Sequence, residues 1–167
     1  MVLVTIGTHE QQFDRLIRAV DGWNAGKRED VLIQTGYSGY EPKNCRYARF
    51  MPYSELMELM ERADRIITHG GPASFLEALR AGKIPVVVPR QARFGEHVND
   101  HQVKFARLVE EQKGNIIVVE DTERLAWTLD HYKELAAEKK RGETGMAWNN
   151  EKFVRRFEEL VNGLWQR

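Results

Sequence analysis

The sequence predicts an α/β fold, a doubly wound parallel sheet with helices on both faces. Two observations predict it. Short β-branched runs alternate with segments whose apolar residues recur at helical spacing, and glycine turns sit at several of the junctions. The run 84–88 is moreover nearly all apolar, as a central parallel strand covered on both faces must be.

Val2 to Ile6 is a β-branched strand closed by Gly7-Thr8, and Phe13, Leu16, Ile17 and Val20 then mark one face of a helix through Trp23. Val31 to Gln34 is the second strand, ending at Thr35-Gly36, and a polar, tyrosine-bearing stretch leads to a third at Arg46 to Phe50. Pro52-Tyr53-Ser54 opens a helix whose Leu56, Met57, Leu59 and Met60 face inward. Arg65 to Thr68 is the next strand and His69-Gly70-Gly71-Pro72 its turn. Ala73 to Ala81 is helical, and Gly82 stops it as a C-terminal glycine does. After Ile84 to Val88, a loop from Pro89 to Gly95 feeds a helix from about His97 to Glu111. A strand at Asn115 to Val119 and a helix starting near Thr122 follow. There is no internal repeat and no low-complexity segment.

This reading places one domain at residues 1–137. Beyond it, 138–167 reads as a charged, glycine-bearing hinge followed by an amphipathic helix with Phe153, Phe157, Leu160, Val161 and Leu164 on one face. That helix either docks on its own sheet or meets a partner or a membrane surface.

Charge names no partner. Lysine plus arginine is 25 and aspartate plus glutamate is 25, so no basic field gathers nucleic acid, and none is expected to bind. The lone Cys45 cannot form an internal disulfide, no apolar run approaches a membrane span, and the opening Met-Val-Leu-Val-Thr-Ile-Gly lacks a basic leader. A cytoplasmic location is the expectation.

Chemistry concentrates in Ile67-Thr68-His69-Gly70-Gly71-Pro72-Ala73-Ser74-Phe75-Leu76-Glu77. The first amides of a helix have no intrahelical acceptor and carry the positive end of its dipole, so a phosphate can bind there without lysine. Gly70 and Gly71 admit an anion to the backbone, Pro72 suits the first helical position, and Ser74 can cap or touch phosphate. Glu77, one turn on, can accept from both hydroxyls of a ribose. Its plainer reading is an exposed helix residue, and Gly-Gly before a helix is common in α/β folds.

The segment resembles the donor-binding signature of glycosyltransferase family 28 C-terminal domains. Gly7-Thr8-His9, Phe50-Met51, the glycine signature and Gly95-Glu96-His97-Val98-Asn99-Asp100-His101-Gln102 occur in that family's order over about residues 1–125. The fit is best to short, two-component bacterial enzymes that build polysaccharide repeat units on lipid carriers. The resemblance implies a Rossmann-like domain equivalent to the C-terminal half of a GT-B glycosyltransferase. It also implies roles. Phe50 and Met51 lie against uracil, although an aromatic followed by methionine also reads as packing, and Glu77 holds the ribose. Thr8, Gly70, Gly71, Pro72, Ala73 and Ser74 hold the diphosphate. His69, Glu96, His97, Asp100, His101 and Gln102 meet the donor sugar.

The implied reaction is inverting hexose transfer from a UDP-sugar to a lipid-linked acceptor, with Arg90 or Arg93 expected to add positive charge beside the diphosphate. The base is expected on a membrane-associated acceptor-binding subunit, which holds this chain at the inner face of the membrane; His9 is the candidate within the chain. No cofactor and no metal is expected, because the histidines fall on three loops and no His-Glu-x-x-His pattern occurs. A Ser-His-Asp hydrolase is disfavoured because Ser74 lacks the Gly-x-Ser-x-Gly elbow. A UDP-sugar 2-epimerase needs two such domains. A non-catalytic nucleotide-binding or regulatory module of the same fold is the alternative.

Overall fold

The computed structural model describes residues 1–26 and 28–141. Six strands, β1 (Val2–Thr5), β2 (Val31–Gln34), β3 (Arg46–Ala48), β4 (Arg65–His69), β5 (Val86–Val88) and β6 (Ile117–Val118), form one sheet in the order β3-β2-β1-β4-β5-β6. Every neighbouring pair is parallel. Strand order reverses between β1 and β4, which opens a crevice beyond their carboxyl ends, where ligands of such sheets collect.

Helices α1 (Asp14–Trp23), α2 (Tyr53–Arg62), α3 (Pro72–Arg80), α4 (His101–Lys113), α5 (Leu125–Asp130) and α6 (Tyr132–Arg141) cover the sheet. The pleat divides the core between them. Val2, Val4, Ile67, Val86 and Val88 pack with Phe13, Leu16, Ile17 and Val20 of the α1 segment and with Leu125, Leu129 and Tyr132. On the opposite face Leu3 and Ile66 meet Met60, Ala63 and Ala78, while Val87 meets Phe75, Leu79, Ala106 and Val109. Both faces of the central strands are therefore apolar, which is why their sequence runs apolar without alternation.

Several boundaries differ from the sequence reading. The third strand ends at Ala48 rather than Phe50, and the fifth starts at Val86. The helix expected from His97 begins at His101, because Asp100 turns its carboxylate back to the Ala92 amide at 2.9 Å and Asn99 Oδ1 accepts from the His101 amide at 3.1 Å. α6 continues to Arg141, so 138–141, read as hinge, is helical; the rest of that segment and the amphipathic helix beyond it lie outside the described residues.

The polar stretch before β3 has an organiser that its sequence hides. Asp21, buried on α1, accepts from the Tyr40 hydroxyl at 2.8 Å and from the amides of Lys43 at 3.0 Å and Asn44 at 2.7 Å. Burial pushes its carboxyl pKa up, but the backbone donors of Asn44 and Lys43 outweigh that and leave it below the usual aspartate value. The loop bearing Tyr37 and leading to Phe50 is thereby tied to α1.

Candidate functional site

α3 starts where the crevice opens. Gly71 is its N-cap, Pro72 is its first residue, and no side chain caps it. Ser74 does not cap, contrary to one of its expected roles; its amide instead turns back on the Gly71 carbonyl at 3.2 Å. Pro72 has no N–H, so the Ala73 amide at the positive end of the dipole has no acceptor within the helix and is available to an anion. Gly82, at φ 71°, ends the segment as expected.

The glycines have a tertiary reason as well as a local one. A Cβ on Gly71 would overlap His69 Nε2, and one on Gly7 would lie 2.7 Å from His69 Cε1. One on Gly70 would lie 2.9 Å from Gln102 Cβ and 3.0 Å from Pro89 Cα. The His69 ring thus fills the gap between the turn after β1 and the start of α3. It is a wedge that sets the spacing of two loops, a packing role that its expected place at the donor sugar does not include.

Burial above all, and then the Arg90 charge, push the His69 pKa down to about 3; a backbone contact at Thr5 acts the other way, and His9 and His97 push it down further. The folded state therefore holds a neutral ring. As pH falls below 6.5, the unfolded chain binds a proton that the folded chain refuses, so this group lowers stability progressively as pH falls toward 3. His69→Asn is expected to reduce the slope of unfolding free energy between about pH 5.5 and 4 by about one proton. An unchanged slope would mean that the ring is protonated in the fold.

Two other expected ligands are structural. Glu96 is fully buried; its Oε1 and Oε2 accept from Arg15 Nε and Nη2, both at 2.9 Å, and Oε2 also accepts from the Gln91 amide at 3.0 Å. It has no face for a sugar. Arg90 is fully buried too, and donates to the carbonyls of Ile6 (3.0 Å), Gln11 (2.9 Å), Gln12 (2.8 Å) and Glu96 (3.3 Å). Burial pushes its pKa down to about 10, with Glu96 pulling it up. The guanidinium is committed to fastening the loop after β1 to the loop after β5, which corrects its expected place beside the diphosphate. Arg15, unnoticed in the sequence, completes the fastening through the carbonyls of Pro89 and Glu120 at 3.1 and 3.0 Å.

The remaining residues surround the crevice. Thr8 and His9 are exposed on the loop after β1, and the His9 ring lies 5.4 Å from that of His97. Burial and then the charges of His9, Arg90 and His101 hold the His97 pKa below the usual histidine value. His101 stands exposed at the first position of α4, Gln102 packs against Gly70 with its Oε1 on the Arg90 amide at 3.1 Å, and Asp100 spends one oxygen on Ala92. Among the described residues, no group of three His, Cys, Asp or Glu side chains is arranged to hold a metal ion.

Beyond β3 lies an aromatic ledge. Phe50 is 44% exposed and meets Tyr37 edge-on at 5.2 Å, with Tyr47 and Tyr53 also exposed. An exposed Phe50 is not core packing, and its face suits a planar base. The ledge joins α3 through Tyr53, whose hydroxyl donates to Glu77 Oε1 at 3.1 Å; Arg80 Nη1 donates to the same oxygen at 2.7 Å. Tyr53 carries no motif, since its meeting with Glu77 depends on α2 and α3 lying side by side. The Tyr53–Glu77 bond thus joins α3 to the start of α2, directly after the segment that carries Phe50.

The family model for the glycosyltransferase family 28 C-terminal domain matches residues 1–161. No curated protein sequence matches the chain. Similar solved structures include the glycotransferase of kitacinnamycin, at TM-score 0.61 and 21% identity over 84% of this chain and 37% of that one. The glycosyltransferase SnogD from Streptomyces nogalater aligns at TM-score 0.53 and 21% identity over 94% and 42%, and MurG of Acinetobacter baumannii at TM-score 0.53 and 18% identity over 83% and 44%. At these identities the likeness is one of fold, and the chain spans less than half the length of each.

Proposed function

The chain belongs to the glycosyltransferase family 28 C-terminal domains, and from that premise we propose that it is the donor-binding part of an inverting, metal-independent glycosyltransferase. It takes a hexose from a UDP-sugar and passes it to a lipid-linked acceptor in polysaccharide or glycan assembly. It works with a membrane-associated acceptor-binding subunit that holds it at the cytoplasmic face of the membrane. Among the described residues no helix is long and apolar enough to cross a membrane itself.

The observation that carries this reading is the uncapped start of α3 at the β1/β4 crevice, with Glu77 one turn along and Phe50 beyond. In the reaction, an acceptor oxygen attacks the anomeric carbon on the face opposite UDP. Its proton goes to a base, the bond to the diphosphate oxygen breaks, and UDP leaves with the electron pair. The base is on the partner subunit, with His9 as the group within this chain that stands exposed at the crevice. The leaving charge is met by the helix terminus, worth roughly 0.3 to 2 kcal/mol, and by amide hydrogen bonds to charged oxygen of about 1.5 to 3 kcal/mol each.

Co-expression with the product of the neighbouring gene, followed by a screen of UDP-hexoses, tests this. UDP release is expected from one donor, only when both proteins are present, and at a rate unchanged by a metal chelator. A chain that binds UDP but never turns over any donor would instead be a nucleotide-binding or regulatory module. Loss of activity on chelation would contradict the metal-independent mechanism.

A further inference from the structure

The geometry around Glu77 points to a role for a residue outside every recognised motif. We propose that Tyr53 is a positioning residue, one that sets the Glu77 carboxylate so that the crevice prefers a ribonucleoside diphosphate to its 2′-deoxy counterpart. This rests on the nucleotide reading given above.

Three observations support it. Both donors to Glu77, the Tyr53 hydroxyl at 3.1 Å and Arg80 Nη1 at 2.7 Å, reach Oε1, and among the described residues no hydrogen bond reaches Oε2. A carboxylate offers about four acceptor positions, so Oε2 keeps its own for a hydroxyl of the ligand. The Glu77 side chain is 18% exposed, enough to meet a ligand yet sheltered from competing water.

The two donors do different things. Arg80 lies three residues along the same helix and moves with Glu77, whereas Tyr53 is the first residue of α2 and ties the carboxylate to a second element. The negative charge of Glu77, followed by burial and the hydrogen bond itself, raises the Tyr53 pKa, so the hydroxyl keeps its proton and remains a donor. Tyr53 follows Phe50-Met51-Pro52 directly, so the support for the sugar end of a nucleoside and the surface for its base come from one short stretch of chain.

A site built to hydrogen-bond a hydroxyl rejects a ligand that lacks it, because its acceptor is left unpaired. The 2′-hydroxyl is the group whose loss the fixed Oε2 would register. Without Tyr53 the carboxylate gains freedom to turn, and the distinction weakens.

Tyr53 is 66% exposed, so Tyr53→Phe keeps the ring and leaves the fold intact. The test is calorimetry of the full chain with UDP and with 2′-deoxy-UDP, alongside the thermal midpoint. The unmodified chain is expected to favour UDP by about tenfold or more, one charge-assisted hydrogen bond. Tyr53→Phe is expected to keep its thermal midpoint, to weaken UDP by about three- to tenfold, and to leave 2′-deoxy-UDP nearly unchanged. A variant that retains the full preference, or loses affinity for both nucleotides equally, overturns the role of Tyr53. An unmodified chain that binds neither nucleotide, or both alike, overturns the nucleotide reading beneath it, and the proposal with it.

Discussion

Replacing Arg90 by methionine is expected to lower the unfolding free energy by about 3 to 5 kcal/mol, although the new side chain is apolar and of similar length. The guanidinium donates to four carbonyls from three separate stretches of chain, at Ile6, Gln11 and Gln12, and Glu96. Methionine fills the volume and supplies no donor, so these acceptors lose their partner, the Ile6 and Glu96 carbonyls in buried surroundings and those of Gln11 and Gln12 in partly buried ones, at about 1 to 3 kcal/mol for each buried one before relaxation. Glu96 keeps its pair with Arg15, so the loss comes from the carbonyls rather than from a stranded carboxylate. Urea denaturation measures it. A loss below about 1 kcal/mol would show that water or rearranged backbone replaces these bonds.

The same variant is expected to weaken UDP binding in calorimetry, because Arg90 fastens the loop that carries Thr8 and His9 through the Gln11 and Gln12 carbonyls.

Glu77→Ala acts in the opposite way, with little change in stability and a large change in turnover. Glu77 is partly exposed, and its partners Tyr53 and Arg80 are exposed and pair with it only at the surface, so the fold loses little. Transition-state binding is expected to fall by about 2 to 4 kcal/mol, roughly 30- to 1,000-fold in kcat/KM, if two ribose hydrogen bonds vanish. The measurement is kcat/KM in the presence of the proposed acceptor-binding subunit. A variant within about threefold of the unmodified protein would remove Glu77 from the nucleotide site.

These two substitutions mark where the sequence could and could not be read. The strand and helix order was legible because each element carries its own period, and the start of α3 because Gly-Gly-Pro states a local backbone requirement. Gly82 did the same for its end. Local signals placed Glu77 one turn into that helix correctly.

Arg90 and Glu96 were read as ligands because a charged residue in a loop beside a binding motif resembles one. What decides between ligand and strut is burial, set here by Arg15 from α1 and by carbonyls some eighty positions away in the chain. No spacing within the loop carries that information. The packing role of His69 is hidden for a related reason: its glycine neighbours suggest room for an anion, while much of that room is filled by the imidazole itself. Phe50, which the family resemblance sets against a base while an aromatic followed by methionine also reads as core, is exposed beyond the early end of β3.

The central claim is that backbone amides at the start of α3 receive a diphosphate while Glu77 receives the attached ribose. A crystal of the full chain soaked in millimolar UDP tests it most directly. Density for the diphosphate is expected with an oxygen about 3 Å from the Ala73 nitrogen and a ribose hydroxyl at similar range from Glu77 Oε2. Nucleotide bound elsewhere, or a crevice without density, would contradict it.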